Sequence, residues 1–148
     1  MNSMYFEDFE IGHKFTTFAR TITETDITDF VKLTGIYSPL FVDEEFANKS
    51  IHKGRIAPGP LTFSFAMGLF TRLGIFEDSV MAFLGMDGMR LSVPVKPGDT
   101  IRVEIEITEK KDTKKLDRGV IKERYRVMNQ RDETIMTYEM AHLAKRKR

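Results

Sequence analysis

The chain has 148 residues, 41% apolar and 30% charged, with 23 Lys and Arg against 22 Asp and Glu. That length suits one domain with a core that needs no staples, and the absence of cysteine excludes disulfides, thiolate metal sites and a cysteine nucleophile. A formal net charge of +1 supplies no basic field for nucleic acid.

No apolar run reaches the ~18 residues of a membrane span, and Met1–Glu10 carries two phenylalanines and three acids where a signal peptide has a basic start. The expectation is a soluble, cytoplasmic protein of one domain. Phe15–Ile22, rich in β-branched and aromatic residues, predicts a first strand. Thr23-Glu24-Thr25-Asp26 then caps a helix through Leu33, with Ile27, Phe30, Val31 and Leu33 as its apolar side. Gly35 is placed to stop it, and Tyr37-Ser38-Pro39 continues irregularly because the residue before a proline is pushed out of α geometry. A short helical piece follows around Asp43–Ala47, with Asp43 as its cap.

Gly59–Gly74 reads as a helix, with Pro60 in its first turn and Gly74 at its end. Leu61, Phe63, Phe65, Ala66, Met67, Leu69, Phe70 and Leu73 surround its axis, which predicts burial on nearly every side. At about 24 Å it is too short to cross a bilayer, so the rest of the protein must wrap it. The second half supplies the wrapper. Ile101, Val103, Ile105 and Ile107 alternate with Arg102, Glu104, Glu106 and Thr108, a strand with one dry face and one wet. Val80–Val95, Val120–Met128 and Thr134–Ala144 predict three more strands, with turns at Lys96–Asp99 and Asn129–Glu133. Helices early and sequential strands late imply an α+β fold with an antiparallel sheet.

Phe30-Val31-Lys32-Leu33-Thr34-Gly35-Ile36-Tyr37-Ser38-Pro39-Leu40-Phe41, continuing to Ala47, resembles the signature of the MaoC-like (R)-specific enoyl-CoA hydratases and hydroxyacyl thioester dehydratases. Phe30, Leu33, Thr34, Gly35, Pro39, Leu40 and Ala47 fall in its register. Arg55–Pro60, Phe83–Asp87 and Pro94–Thr100 resemble later segments of that family, so the likeness covers nearly the whole chain. It implies a single hotdog domain over residues 1–148, an antiparallel sheet around one long central helix. It also implies reversible addition of water to a 2-enoyl thioester, with alternatives in a non-catalytic acyl-CoA-binding subunit or a thioesterase.

In this sequence the family's catalytic Asp falls on Ile36, its Asn on Ser38 and its catalytic His on Phe41. Isoleucine and phenylalanine hold no exchangeable proton, so neither can act as a general acid or base. Gly59 matches the glycine whose amide polarises the thioester carbonyl, and unpaired first-turn amides are good donors to a developing oxyanion. A tight turn before Pro60 is the plainer explanation for that glycine. Pro58, Tyr37, Ser38, Met67 and Phe70 are the further substrate-binding candidates. Met81, Met86 and Met89 join Met67 and Phe70 as possible lining of an acyl tunnel or as ordinary core.

Asp87 shares strand parity with Met81, Phe83, Met89 and Leu91 and is the candidate replacement base; pairing with Arg90 or capping a bend are the alternatives. Ser64 is expected to bond back to its own helix. His13, His52 and His142 are scattered and form no zinc pattern, so no metal is expected. His52 reads as a solvated loop residue and His142 as a structural one. Lys110–Lys115 and the Lys145–Arg148 tail read as a solvated strand end and a frayed terminus, or as contacts for coenzyme A phosphates. The resemblance implies no bound cofactor, since the substrate brings its own coenzyme A or phosphopantetheine. It implies a homodimer or higher oligomer, and allows a catalytic partner subunit.

Overall fold

The computed structural model describes residues 2–148; Met1 lies outside the described residues. A 3-10 turn at Phe6–Asp8 leads into two short strands, β1 (Lys14–Thr16) and β2 (Arg20–Thr21). The single strand expected over Phe15–Ile22 is broken because Thr17 interrupts the ladder with its side chain. The Val103 amide donates to Thr17 Oγ1 at 2.9 Å, and Phe18 stays exposed.

Helix α1 (Glu24–Thr34) starts at a reciprocal cap. The Asp26 amide donates to Thr23 Oγ1 at 3.0 Å, and the Thr23 amide donates to the Asp26 carboxylate at 2.9 Å. Gly35 ends the helix at φ 76°, its amide donating to the Val31 carbonyl at 2.8 Å. Ile27 and Val31 are buried and Phe30 packs against the core, but Leu33 lies on the solvent side. Two short helices follow, α2 (Pro39–Val42) and α3 (Glu44–Asn48). Asp43 caps α3 as expected, accepting from the Phe46 amide at 3.0 Å.

Helix α4 (Gly59–Thr71) is the central element. Leu61, Thr62, Ala66, Leu69 and Phe70 are buried, and Phe63, Phe65 and Met67 are half-buried. Burial on every side is not realised, since Pro60, Ser64, Gly68 and Thr71 form one exposed stripe at helical spacing. That stripe holds no large apolar side chain, so exposing it costs little. Ser64 Oγ donates back to the Pro60 carbonyl at 2.8 Å.

The wrapper consists of β3 (Val80–Leu91), β4 (Thr100–Asp112), β5 (Arg118–Met128) and β6 (Thr134–Lys145). The antiparallel sheet runs β1-β4-β5-β6-β3, with β2 also on β4. Ile101, Val103, Ile105 and Ile107 are all buried, and β5 and β6 continue the dry face with Ile121, Tyr125, Val127, Met136, Tyr138 and Met140. Phe70 meets the Tyr125 ring edge-on at 5.2 Å, and Phe63 meets Tyr138 the same way at 5.2 Å. This is the α+β hotdog arrangement. Its β3 edge is unpaired within the chain and carries exposed Val80, Met81, Phe83, Leu84, Met86 and Leu91.

Strand β3 stops at Leu91, short of the expected Val95, because Pro94 brings no amide and the Val95 carbonyl is taken by the Ala57 amide at 2.7 Å. The basic tail is docked, not frayed. Arg146 pairs with Asp112 and Glu7, Lys147 pairs with Asp8, and the Arg146 guanidinium sits 4.2 Å over the Phe6 ring. Among the described residues, no helix is long and apolar enough to cross a membrane.

Candidate active site

Two backbone bonds bring distant segments together at the start of α4. The Ile56 amide donates to the Leu40 carbonyl of α2 at 3.2 Å, and the Ala57 amide donates to Val95. Between these clamps and β6 opens a cleft of about 280 Å³. Its walls are mainly apolar, including Phe41, Ile56, Leu91, Val93 and Met136, and its polar groups are Thr62, Ser92, His52 and the Gly59 backbone.

The Gly59 amide is the unpaired donor of this helix end. Pro60 has no amide hydrogen, and the Leu61 and Thr62 amides both donate to the Pro58 carbonyl, at 3.1 and 3.3 Å. A first-turn amide has no intrahelical acceptor, and among the described residues none from elsewhere reaches this one. A Cβ on residue 59 would meet Leu91 Cδ2 at 2.8 Å, so glycine also lets the strand end close over the helix. An N–H on the positive end of a helix, in an apolar cleft, can bind a carbonyl oxygen and favour negative charge building on it.

The sequence-based site residues divide sharply. Gly59 and Phe41 line the cleft together. Pro58 is buried beneath Gly59 as the cap residue, and Ile36 is half-buried outside the lining. Ser38 caps α2, accepting from the Leu40 amide at 3.4 Å, while Tyr37 is 65% exposed and turned to solvent. Met67 and Phe70 are not beside Gly59. They face a second cavity of about 390 Å³ near the other end of α4, with Phe76, Val80 and His142. Met67 is eight residues beyond Gly59, roughly 12 Å along the axis, which is why one cleft cannot hold both.

Asp87 is exposed on the β3 edge, opposite Glu139 in the register, and does not line its own chain's cleft. The alternative of pairing with Arg90 is not formed either; the Arg90 guanidinium donates to the Met89 carbonyl at 3.1 Å. His52 is the residue that sequence reading missed. It is half-buried and lines the cleft with Phe41, Gly59 and Thr62. The available signal was its position between α3 and the Ile56–Gly59 entry segment, two pieces that both border the site.

A second polar cluster lies deep in the core. Nδ1 of His142 and Oε1 of Glu123 are 2.7 Å apart, both side chains being buried. Burial raises the Glu123 carboxyl above its ordinary range, and the hydrogen bond from His142 opposes that only in part. The neighbouring Tyr125 and Tyr138 hydroxyls are also pushed up by burial and have no hydrogen-bond partner within the described residues. The cluster sits below the second cavity, away from Gly59.

The fold is an antiparallel sheet around a central helix, and the glycine at the head of that helix borders an apolar cleft. Residues 8–128 match the family model described as a MaoC like domain, and the chain belongs to that family. It is 40% identical over 106 residues to the protein MaoC of Klebsiella aerogenes, covering 72% of this chain and only 31% of that one. It is 32% identical over 104 residues to the (R)-specific enoyl-CoA hydratase of Rhodospirillum rubrum, covering 70% of this chain and 69% of the hydratase. Among solved structures, the monoamine oxidase regulatory protein of Archaeoglobus fulgidus superposes with a TM-score of 0.93 at 38% identity, over 100% of this chain and 98% of the other.

Proposed function

We propose that this protein is an acyl-thioester hydratase or dehydratase, adding water reversibly across the double bond of a 2-enoyl thioester of coenzyme A or an acyl carrier to give the 3-hydroxyacyl thioester. The observation that carries this reading is the unpaired Gly59 amide at the head of α4, open to an apolar cleft. Water addition at C3 shifts the C2=C3 π pair to C1–C2 and the carbonyl π pair onto the thioester oxygen. A fixed donor at that oxygen stabilises the enolate more than the ground state, which is the condition for rate enhancement. No bound cofactor enters this reading, because the thioester brings coenzyme A or phosphopantetheine with it.

The exposed apolar β3 edge supports a homodimer in which two such strands pair into one continuous sheet. A second reading, a non-catalytic acyl-thioester-binding subunit alone or beside a catalytic MaoC-like partner, is favoured by one observation. Phe41 lines the cleft at the position where the family has its histidine. A thioesterase is less well supported, since Gly59–Thr71 carries no carboxylate.

The test is incubation of the pure protein with crotonyl-CoA, following the enoyl absorbance with a thiol reagent present. Loss of absorbance without free thiol supports hydration. Thiol release indicates a thioesterase, and silence in both with saturable butyryl-CoA binding by calorimetry indicates the binding subunit.

A further inference from the structure

We propose that His52 is the catalytic proton carrier of this site, having taken over at a new position the task for which Ile36 and Phe41 have no chemistry. The inference rests on the hydratase reading and adds to it the group that moves the proton.

Three observations carry it. First, His52 is the only ionisable side chain among the described residues that line the cleft. The groups facing the cleft from α2, α4, the end of β3, the segment after it and β6 are uncharged, among them Phe41, Thr62, Leu91, Ser92 and Met136. Second, Phe41 lines the same cleft, so an imidazole at position 52 borders the cavity that the side chain at position 41 also borders.

Third, the loop bearing His52 is built, not slack. Ser50 Oγ donates to the Ala47 carbonyl at 2.6 Å and accepts the His52 amide at 3.1 Å. Lys53 holds a left-handed φ of 57°, unusual for a side chain with a Cβ, and the Gly54 amide returns to the Ala47 carbonyl at 3.1 Å. Beyond it, the Arg55 guanidinium pairs with both Glu24 of α1 and Glu44 of α3. A solvated loop histidine needs none of this bracing. A proton carrier does, because transfer requires the acceptor within hydrogen-bond reach of the water.

The chemistry closes with one imidazole. His52 takes a proton from water as the water oxygen bonds to C3; the C2=C3 π pair becomes the C1=C2 bond and the carbonyl π pair moves onto the thioester oxygen, which the Gly59 amide stabilises. The resulting imidazolium returns its proton to C2 as the carbonyl re-forms. The net change is addition of H and OH; the C–S bond stays intact and the histidine is regenerated.

The experiment is crotonyl-CoA hydration by wild type, His52→Gln and His52→Ala, with and without added imidazole, and with near-UV circular dichroism and butyryl-CoA calorimetry on each. The expected result is a fall in kcat of about 10²–10⁴-fold in both variants, with KM and butyryl-CoA affinity within a few-fold of wild type. Added imidazole should restore part of the rate to His52→Ala alone. An active wild type whose rate survives His52→Gln overturns the assignment while leaving the hydratase reading intact. Variants that lose KM and not kcat overturn it too. A wild type inert toward crotonyl-CoA overturns both, and butyryl-CoA binding then indicates the silent subunit.

Discussion

His142 and Glu123 meet at 2.7 Å inside the core, on adjacent strands of the sheet and with almost no exposure. Taking both groups out of water is costly, and a single truncation leaves the other charge or dipole uncompensated. Such breaks cost about 3–5 kcal/mol, whereas replacing both partners by apolar groups is near neutral or stabilising. Glu123→Leu and His142→Phe should therefore each destabilise strongly, and the double variant should recover most of the loss. Urea denaturation around the double-mutant cycle measures this; additive losses would show that the pair is not coupled.

The same pair sets a pH dependence. Burial lifts the Glu123 carboxyl above its ordinary value of 4.5, so the folded state holds a proton that the unfolded chain releases first. Its contribution to stability is complete below the unfolded value and is lost as pH rises through the folded one. Glu123→Gln removes this dependence. Unfolding free energy of wild type minus that of Glu123→Gln, followed from pH 4 upward, should fall with rising pH.

Gly119 lies so close to Phe6 that an added Cβ would meet the ring at 2.3 Å. The ring cannot easily yield, since it is buried with Lys110 and Arg146 stacked on it at 4.7 and 4.2 Å. Gly119→Ala should cost about 1–3 kcal/mol through overpacking and lower the melting temperature. Hydrogen exchange should also loosen around Met4–Phe9.

The β3 edge offers a test of assembly. Phe83 and Leu84 are about half exposed on a strand whose outer edge is unpaired within the chain. Charges on such an edge oppose strand-to-strand association. Phe83→Lys with Leu84→Glu should convert a dimer in light scattering to a monomer; a wild type that is already monomeric would refute the shared sheet.

Restoring the family's residues is the converse of the His52 experiment. Ile36→Asp with Phe41→His should raise crotonyl-CoA hydration over wild type, general acid–base groups being worth about 10²–10⁴-fold. A folded double variant without gain would refute a role for positions 36 and 41 in this chain.

Local chemistry was readable in the chain itself. The Thr23–Asp26 cap, the Gly35 stop, the Asp43 cap and the strict alternation of Ile101 to Ile107 each depend on neighbours within a few residues, and each formed as expected. The helical span of α4 was legible in the same way, from Pro60 in its first turn and the apolar run behind it.

What lay beyond the sequence were relations across long chain distances. Loop geometry between α3 and α4 decided that His52 faces the Gly59 cleft, and helical rise decided that Met67 and Phe70 do not. Edge position on β3 put Asp87 in solvent, and the pairing of Arg146 and Lys147 with Asp112, Glu7 and Asp8 docked a tail that reads as loose. Periodicity fixes which face of an element is dry, because that depends on one dihedral repeat. Which faces then meet is set by packing of the whole chain, and only there did Gly59 and His52 come to line one cleft.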